Sequence, residues 1–251
     1  MKPILIDPQS FSPNGTRVVL AQEIRFDGSR FHKGQPVTAA MLEQLRAMPE
    51  PLHAVRLDAN DVHEDEAALA IATAAAGPGI VLGKPVQSRV NLKAERKGLL
   101  RIDRSAVDAI NALPDLGLFT LLDRMAVLPG KIVAGAKITP VATRKSLIDE
   151  AVRIASSSKV VQVKPFLPLK IGVVTTEAMD EKTCSRFERA VETKTDWYGG
   201  ELLGYRAVAN DAGEVAAALY EFLEQGAQLL MTGGGNTMDP LDGALGSIPL
   251  V

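Results

Sequence analysis

The pattern of apolar and polar positions changes character about two-thirds of the way along the chain. Before residue 165 the apolar runs are short and broken by turns. Residues 17–24, "RVVLAQEI", predict a strand. "TAAMLEQLRAM", 38–48, sets Met41, Leu42 and Leu45 at helical spacing behind Thr38, a candidate N-cap, and Pro49 and Pro51 stop it. "LHAVRLD" predicts a short strand. "DVHEDEAALAIATAAAG" predicts a helix with acids in its first turn, where the helix dipole favours them, and with Gly77 as its stop. "GLLRID", 98–103, reads as a strand, and "RSAVDAINAL" as a helix with Ser105 as candidate cap. "KIVAGAKITPVA", 131–142, reads as a strand, and "KSLIDEAVRIAS", 145–156, as an amphipathic helix. The serines and prolines that follow, through "VKPFLPLK", read as a connector, and the domain boundary is set near residue 165.

After it the rhythm is regular. "LKIGVVTT" (169–176) is an unbroken apolar strand, residues 180–194 a helix, 200–209 a strand, 211–227 a helix and 228–232 a strand. Short all-apolar strands alternating with amphipathic helices predict a parallel sheet buried on both faces, with right-handed crossovers. The expected fold class is therefore α/β: a doubly wound, mostly parallel three-layer α/β/α domain at residues 166–251, preceded by an α+β domain at 1–165.

Composition narrows the function. The chain has 251 residues, a net charge of −2, 46% hydrophobic and 4% aromatic residues. No overall positive field or ladder of aromatics points to nucleic acid, and no nucleic-acid partner is expected. One cysteine, Cys184, excludes a disulfide within the chain and favours a reducing compartment. The N-terminus lacks a signal-peptide pattern and no apolar run is long enough to span a bilayer, so a cytoplasmic protein without a membrane partner is expected.

Candidate chemistry lies at two polar segments that follow strands, "TTEAMDEKT" and "TGGGNTMDPLD". In open α/β sheets, ligands bind beyond the carboxyl ends of the strands. Residues without Cβ let amide N–H groups line a concave surface suited to anions. Thr232, Asn236 and Thr237 add side-chain donors, and Asp239 and Asp242 suit Mg²⁺ or an N–H-rich ring. The plain alternatives are a flexible loop and aspartates that cap the next helix. "HEDEA", 63–67, lacks the second histidine of H-E-x-x-H and reads as a charged helix start. His32 and His53 form no ligand pair, Cys184 reads as a small buried residue, and Lys182 reads as an exposed helix lysine with a possible cationic role.

On "TGGGNTMDPLD", the degraded "TTEAMDE" and the "NDAGE" that keeps Asp211 and Glu214, the second region resembles the molybdopterin-binding domain of molybdenum cofactor biosynthesis. "RFDGSRFHKGQPVTAAMLEQL", "NDVHEDEAALAIA", "VNLKAERKGLLRIDRSAVDAIN" and "AGAKITPV" resemble the N-terminal region of a molybdotransferase-like bacterial subgroup of that family. The resemblance implies molybdopterin as ligand, with molybdate and Mg²⁺, and insertion of molybdate into adenylated molybdopterin with release of AMP. It implies pterin or phosphate contacts by Thr232, Gly233, Gly234, Gly235 and Asn236, a facing lip of Thr175, Thr176 and Glu177, and catalytic or metal roles for Asp239 and Asp242. It also implies a homo-oligomer. The family's domain continues past the glycine loop, whereas only ten residues follow Leu241 here, so a C-terminally truncated pocket is expected. The alternatives are a carrier that hands molybdopterin to a molybdoenzyme, and a regulatory module that binds nothing.

Overall fold

A computed structural model describes residues 1–234, 239 and 241–251. The chain divides into two compact units, Met1–Pro165 and Phe166–Val251. Helices and strands mix in both, and most of the pairing is antiparallel in small sheets.

The first unit opens with β1 (Lys2–Ile6), β2 (Val18–Leu20), β3 (Ile24–Phe26), β4 (Ser29–Phe31), α1 (Ala39–Gln44) and β5 (Leu52–Arg56). Strands β1, β5 and β2 form an antiparallel sheet in that order, and β3 and β4 form a hairpin. Ile6, Leu20, Leu45 and Leu52 close one core here. Thr38 caps α1 through the Met41 amide, as the sequence predicts. The rest of the unit comprises β6 (Asp61–His63), α2 (Glu64–Ala75), β7 (Ile80–Leu82), β8 (Arg89–Ala94), β9 (Gly98–Ile102), α3 (Arg104–Asn111), β10 (Leu116–Thr120), β11 (Ala126–Val127), β12 (Ile132–Ile138), β13 (Ala142–Arg144), α4 (Lys145–Ser156) and β14 (Val161–Lys164). A four-stranded antiparallel sheet, β10-β12-β8-β7, presents Leu92, Leu118, Ala136 and Ile138 to a larger core that also takes Ile71 of α2, Ile110 of α3 and Ile148 of α4. A second sheet, β11-β9-β14, adds Leu100 and Val163.

Three local expectations are corrected. Residues 61–63 are not the start of the helix but a strand paired with β13, because Ala142 and His63, Thr143 and Val62, and Arg144 and Asp61 stand opposite each other. Residues 161–164 are not connector but pair antiparallel with β9. Ser105 does not cap α3; Asp103 does, accepting from the Ala106 amide at 3.1 Å.

The second unit runs β15 (Lys170–Thr175), α5 (Glu181–Tyr198), β16 (Glu201–Ala207), α6 (Ala212–Glu224), β17 (Leu229–Gly233) and a short α7 (Gly243–Ser247). Its sheet is parallel, ordered β16-β15-β17. Alternate residues of β15 enter different cores: Ile171 and Val173 pack with Val191 and Phe187 of α5, whereas Val174 packs with Val215, Leu219 and Phe222 of α6. That period of two is what a strand covered on both faces requires.

Candidate functional site

The parallel register decides which loops meet. β15 is the central strand, so its carboxyl end lies between those of β16 and β17. The Thr176 amide donates to Gly233 O at 3.0 Å, and the Val208 amide donates to Thr175 O at 3.0 Å. Thr175 is buried and its hydroxyl accepts from the Glu177 amide at 3.2 Å; Glu177 itself is exposed. Thr232 is exposed and stands opposite Val174, and Gly233 stands opposite Thr175. A Cβ at Gly234 would lie 2.8 Å from Thr176 Oγ1 and 3.7 Å from Asp242 Oδ2. The absence of a side chain at 234 therefore lets the two strand tips and the Asp242 carboxylate close on one another. Thr175, Thr176, Gly233, Gly234 and Asp242 are thus brought together. Gly235 and Asn236 lie outside the described residues.

The two aspartates differ in setting. Asp242 is buried and caps α7, its Oδ1 accepting from the Ala244 amide at 2.9 Å. Asp239 is exposed; its Oδ1 accepts from the Leu241 amide at 3.0 Å, and its carbonyl accepts from the Asp242 amide at 2.9 Å. Among the described residues, no group of three or more His, Cys, Asp or Glu side chains is arranged to hold a metal ion. The acids of "NDAGE" have local tasks. Asp211 caps α6 by accepting from the Gly213 and Glu214 amides, two of the helix's first free donors, and Glu214 reaches back to accept from the Ala209 amide of the preceding loop at 3.2 Å.

Asn210 was not singled out from the sequence. Its Oδ1 accepts from the Gly243 amide at 2.7 Å, tying the start of α7 to the loop after β16. A Cβ at Gly243 would strike that oxygen, at 2.8 Å. The lip is completed by Phe187 of α5, whose ring edge lies 3.8 Å from where a Gly233 Cβ would stand.

The remaining candidates fall outside this cluster. Lys182 is exposed on α5 beside an open hollow with Ser185, Arg186 and Arg189. Cys184 lies half-buried with Sγ 3.5 Å from Glu188 Oε1; burial, then this carboxylate, pushes the thiol pKa up, which makes it a poor nucleophile. His63 caps α2 by accepting from the Asp65 amide at 3.2 Å, and its Nε2 meets Gly34 O at 2.7 Å. No helix among the described residues is long and apolar enough to cross a membrane.

The chain matches no protein-family model, and no curated protein or solved structure is significantly similar to it.

Proposed function

We propose that the second unit is a doubly wound three-layer α/β/α domain that binds molybdopterin where the tips of β15 and β17 meet. The observation that carries this reading is the close approach of Thr176, Gly234 and Asp242 at the carboxyl end of a parallel sheet. The likeness of "TGGGNTMDPLD" to a molybdopterin loop agrees with it. Backbone amides and threonine hydroxyls there would donate to the phosphate oxygens. Gly234 lets Thr176 and Asp242 draw together at the strand tips, so that their polar side chains would meet a ligand placed over them. In the enzymatic form of this reading, Asp239 and Asp242 would hold Mg²⁺, which would supply positive charge to gather phosphate, dithiolene and molybdate. Both dithiolene sulfurs of adenylated molybdopterin would bond to molybdenum as an oxo group leaves as water, and water would cleave the phosphoanhydride to release AMP.

The second reading is a carrier that holds molybdopterin for a molybdoenzyme without turning it over. It is favoured by one observation: both aspartates already spend an oxygen on backbone amides of the turn into α7. Calorimetric titration of the full chain with molybdopterin tests the shared claim. A saturable heat that Gly234→Val abolishes, with an unchanged circular dichroism spectrum, is expected. No heat, or the same heat in the variant, overturns the site. Release of AMP from adenylated molybdopterin, given molybdate and Mg²⁺, selects the enzyme; tight binding without release selects the carrier.

A further inference from the structure

One face of the sheet β10-β12-β8-β7 packs against α2, with α3 against β10. On the other, the outward positions are Arg89, Asn91 and Lys93 of β8, Lys137, Gly135 and Ile132 of β12, Gly117 and Phe119 of β10 and Val81 of β7, as the strand registers require. The four strands contain no aspartate or glutamate, and all three of their cations point to this face. Lys137 stands directly opposite Arg89. Like charges facing each other across a ladder destabilise a sheet, so the arrangement costs the fold rather than supporting it.

The Arg89 guanidinium is also held in place. It lies over the Phe119 ring, 4.5 Å from its centre, and its Nε donates to Asn91 Oδ1 at 2.7 Å. Phe119 in turn covers Gly135, where a Cβ would overlap the ring. Stacking and an amide fix the guanidinium plane, and none of Arg89, Lys93 or Lys137 forms an ion pair among the described residues. Its remaining N–H donors are presented to solvent, ready for an external anion. Phe119 stays 40% exposed and Val81 43% exposed, so the surface is open to a ligand.

We propose that this face of the first unit is a docking surface for single-stranded nucleic acid. An extended polyanion complements three cations that form no ion pair among the described residues. Lys93 stands four residues along the strand from Arg89, about 13 Å away, so the cations span more than one phosphate. The outer face of the guanidinium, held flat by the Phe119 ring beneath it, offers stacking to a base, and the Asn91 amide offers a donor and an acceptor to a base edge. An acidic polypeptide would use the charges but not the stacking planes. The whole-chain charge of −2 conceals this face because the acids lie on other elements.

The test is fluorescence anisotropy of the full chain with a fluorescein-labelled 12-nucleotide single-stranded RNA of mixed sequence, in a series of salt concentrations. Saturable binding that weakens with salt is expected. Arg89→Ala with Lys137→Ala is expected to weaken it uniformly, and the log–log salt slope to fall by about 0.7 for each cation removed. Phe119→Leu, which keeps every charge, is expected to weaken RNA binding while leaving any binding of poly-glutamate unchanged. Three results overturn the proposal: no saturable binding at low salt; binding indifferent to the double variant in a protein with an unchanged circular dichroism spectrum; or poly-glutamate displacing the RNA at equal charge with Phe119→Leu silent, which assigns the face to an acidic polypeptide.

Discussion

Glu64 begins α2 with a carboxylate that is 2% exposed, beneath a glycine that has no room for a side chain. Gly34 has φ +77°, and a Cβ there would overlap Glu64 Oε1, so both conformation and space demand glycine. The sequence made this stretch a charged helix start. Asp65 and Glu66 stand in the first turn of α2 as that reading expects, but Glu64 is drawn inward. Lys33 Nζ reaches its Oε2 at 3.2 Å and donates to Thr139 O at 3.2 Å, so one ammonium links the 32–35 turn, α2 and the loop after β12. Burial raises the Glu64 pKa above its ordinary 4.5, with Lys33 and His63 opposing and Asp65 reinforcing. A raised carboxyl pKa favours the folded state most below the ordinary value, and that contribution is lost as pH climbs through the raised value. Chemical denaturation of the wild type and Glu64→Gln between pH 4 and pH 7 measures it. The wild type should lose stability relative to the variant across that interval, because glutamine carries no charge to bury. A difference that stays constant would mean that the carboxyl titrates as it does in the unfolded chain.

At the scale of elements, what was legible followed from length. α4 spans Lys145–Ser156, the very residues whose spacing predicts it, because twelve residues suffice for a helical period to declare itself. β15, β16 and β17 were legible for a related reason: apolar runs separated by helices leave few alternative topologies. The three-residue strands β6, β7 and β13 are shorter than any window in which alternation can be recognised, and their identity comes from partners outside that window. β6 shows this well, since "DVH" carries no strand signal without Ala142–Arg144 opposite it. Caps were readable as a class but not always to the residue. Asp103 and Ser105 both suit the start of α3, and the choice falls to Asp103, whose Oδ1 also accepts from the Ser105 hydroxyl at 2.8 Å. Asp103→Ala should therefore cost about 1 kcal/mol in urea unfolding. Ser105→Ala should cost less, since it removes a supporting hydroxyl and leaves the amide capped. Equal losses would return the cap to both residues. In the candidate site, the meeting of the strand tips followed from topology. Asn210 stayed hidden because its partner, the Gly243 amide, is 33 residues away. Asp242 suited a ligand and a cap equally until α7 was seen to begin at the next residue.

For the molecule as a whole, the separation of its cores sets how it should unfold. Among the described residues, each buried cluster draws its members from one unit alone: two large clusters and the small group Val19, Leu57, Val141 and Ala142 in residues 1–165, and two in residues 166–251. Cooperativity arises from shared burial, so units with private cores are expected to melt as separate transitions. Each transition is then addressable by a change confined to its own core. Gly172 lies on β15 beneath Phe222 of α6, and a Cβ at 172 would overlap the phenyl ring at its root. Phe222 is 1% exposed and has little room to retreat, so Gly172→Ala should cost roughly 1–3 kcal/mol by overpacking. Leu100→Ala, in the large core of the first unit, should cost about 2–5 kcal/mol by leaving a cavity. In calorimetry, each substitution is expected to lower one transition and leave the other in place, and molybdopterin is expected to raise only the transition that Gly172→Ala lowers. A single peak displaced by both substitutions would mean that the two units unfold as one, and the docking face of the first and the strand-tip site of the second would then have to be treated as energetically coupled.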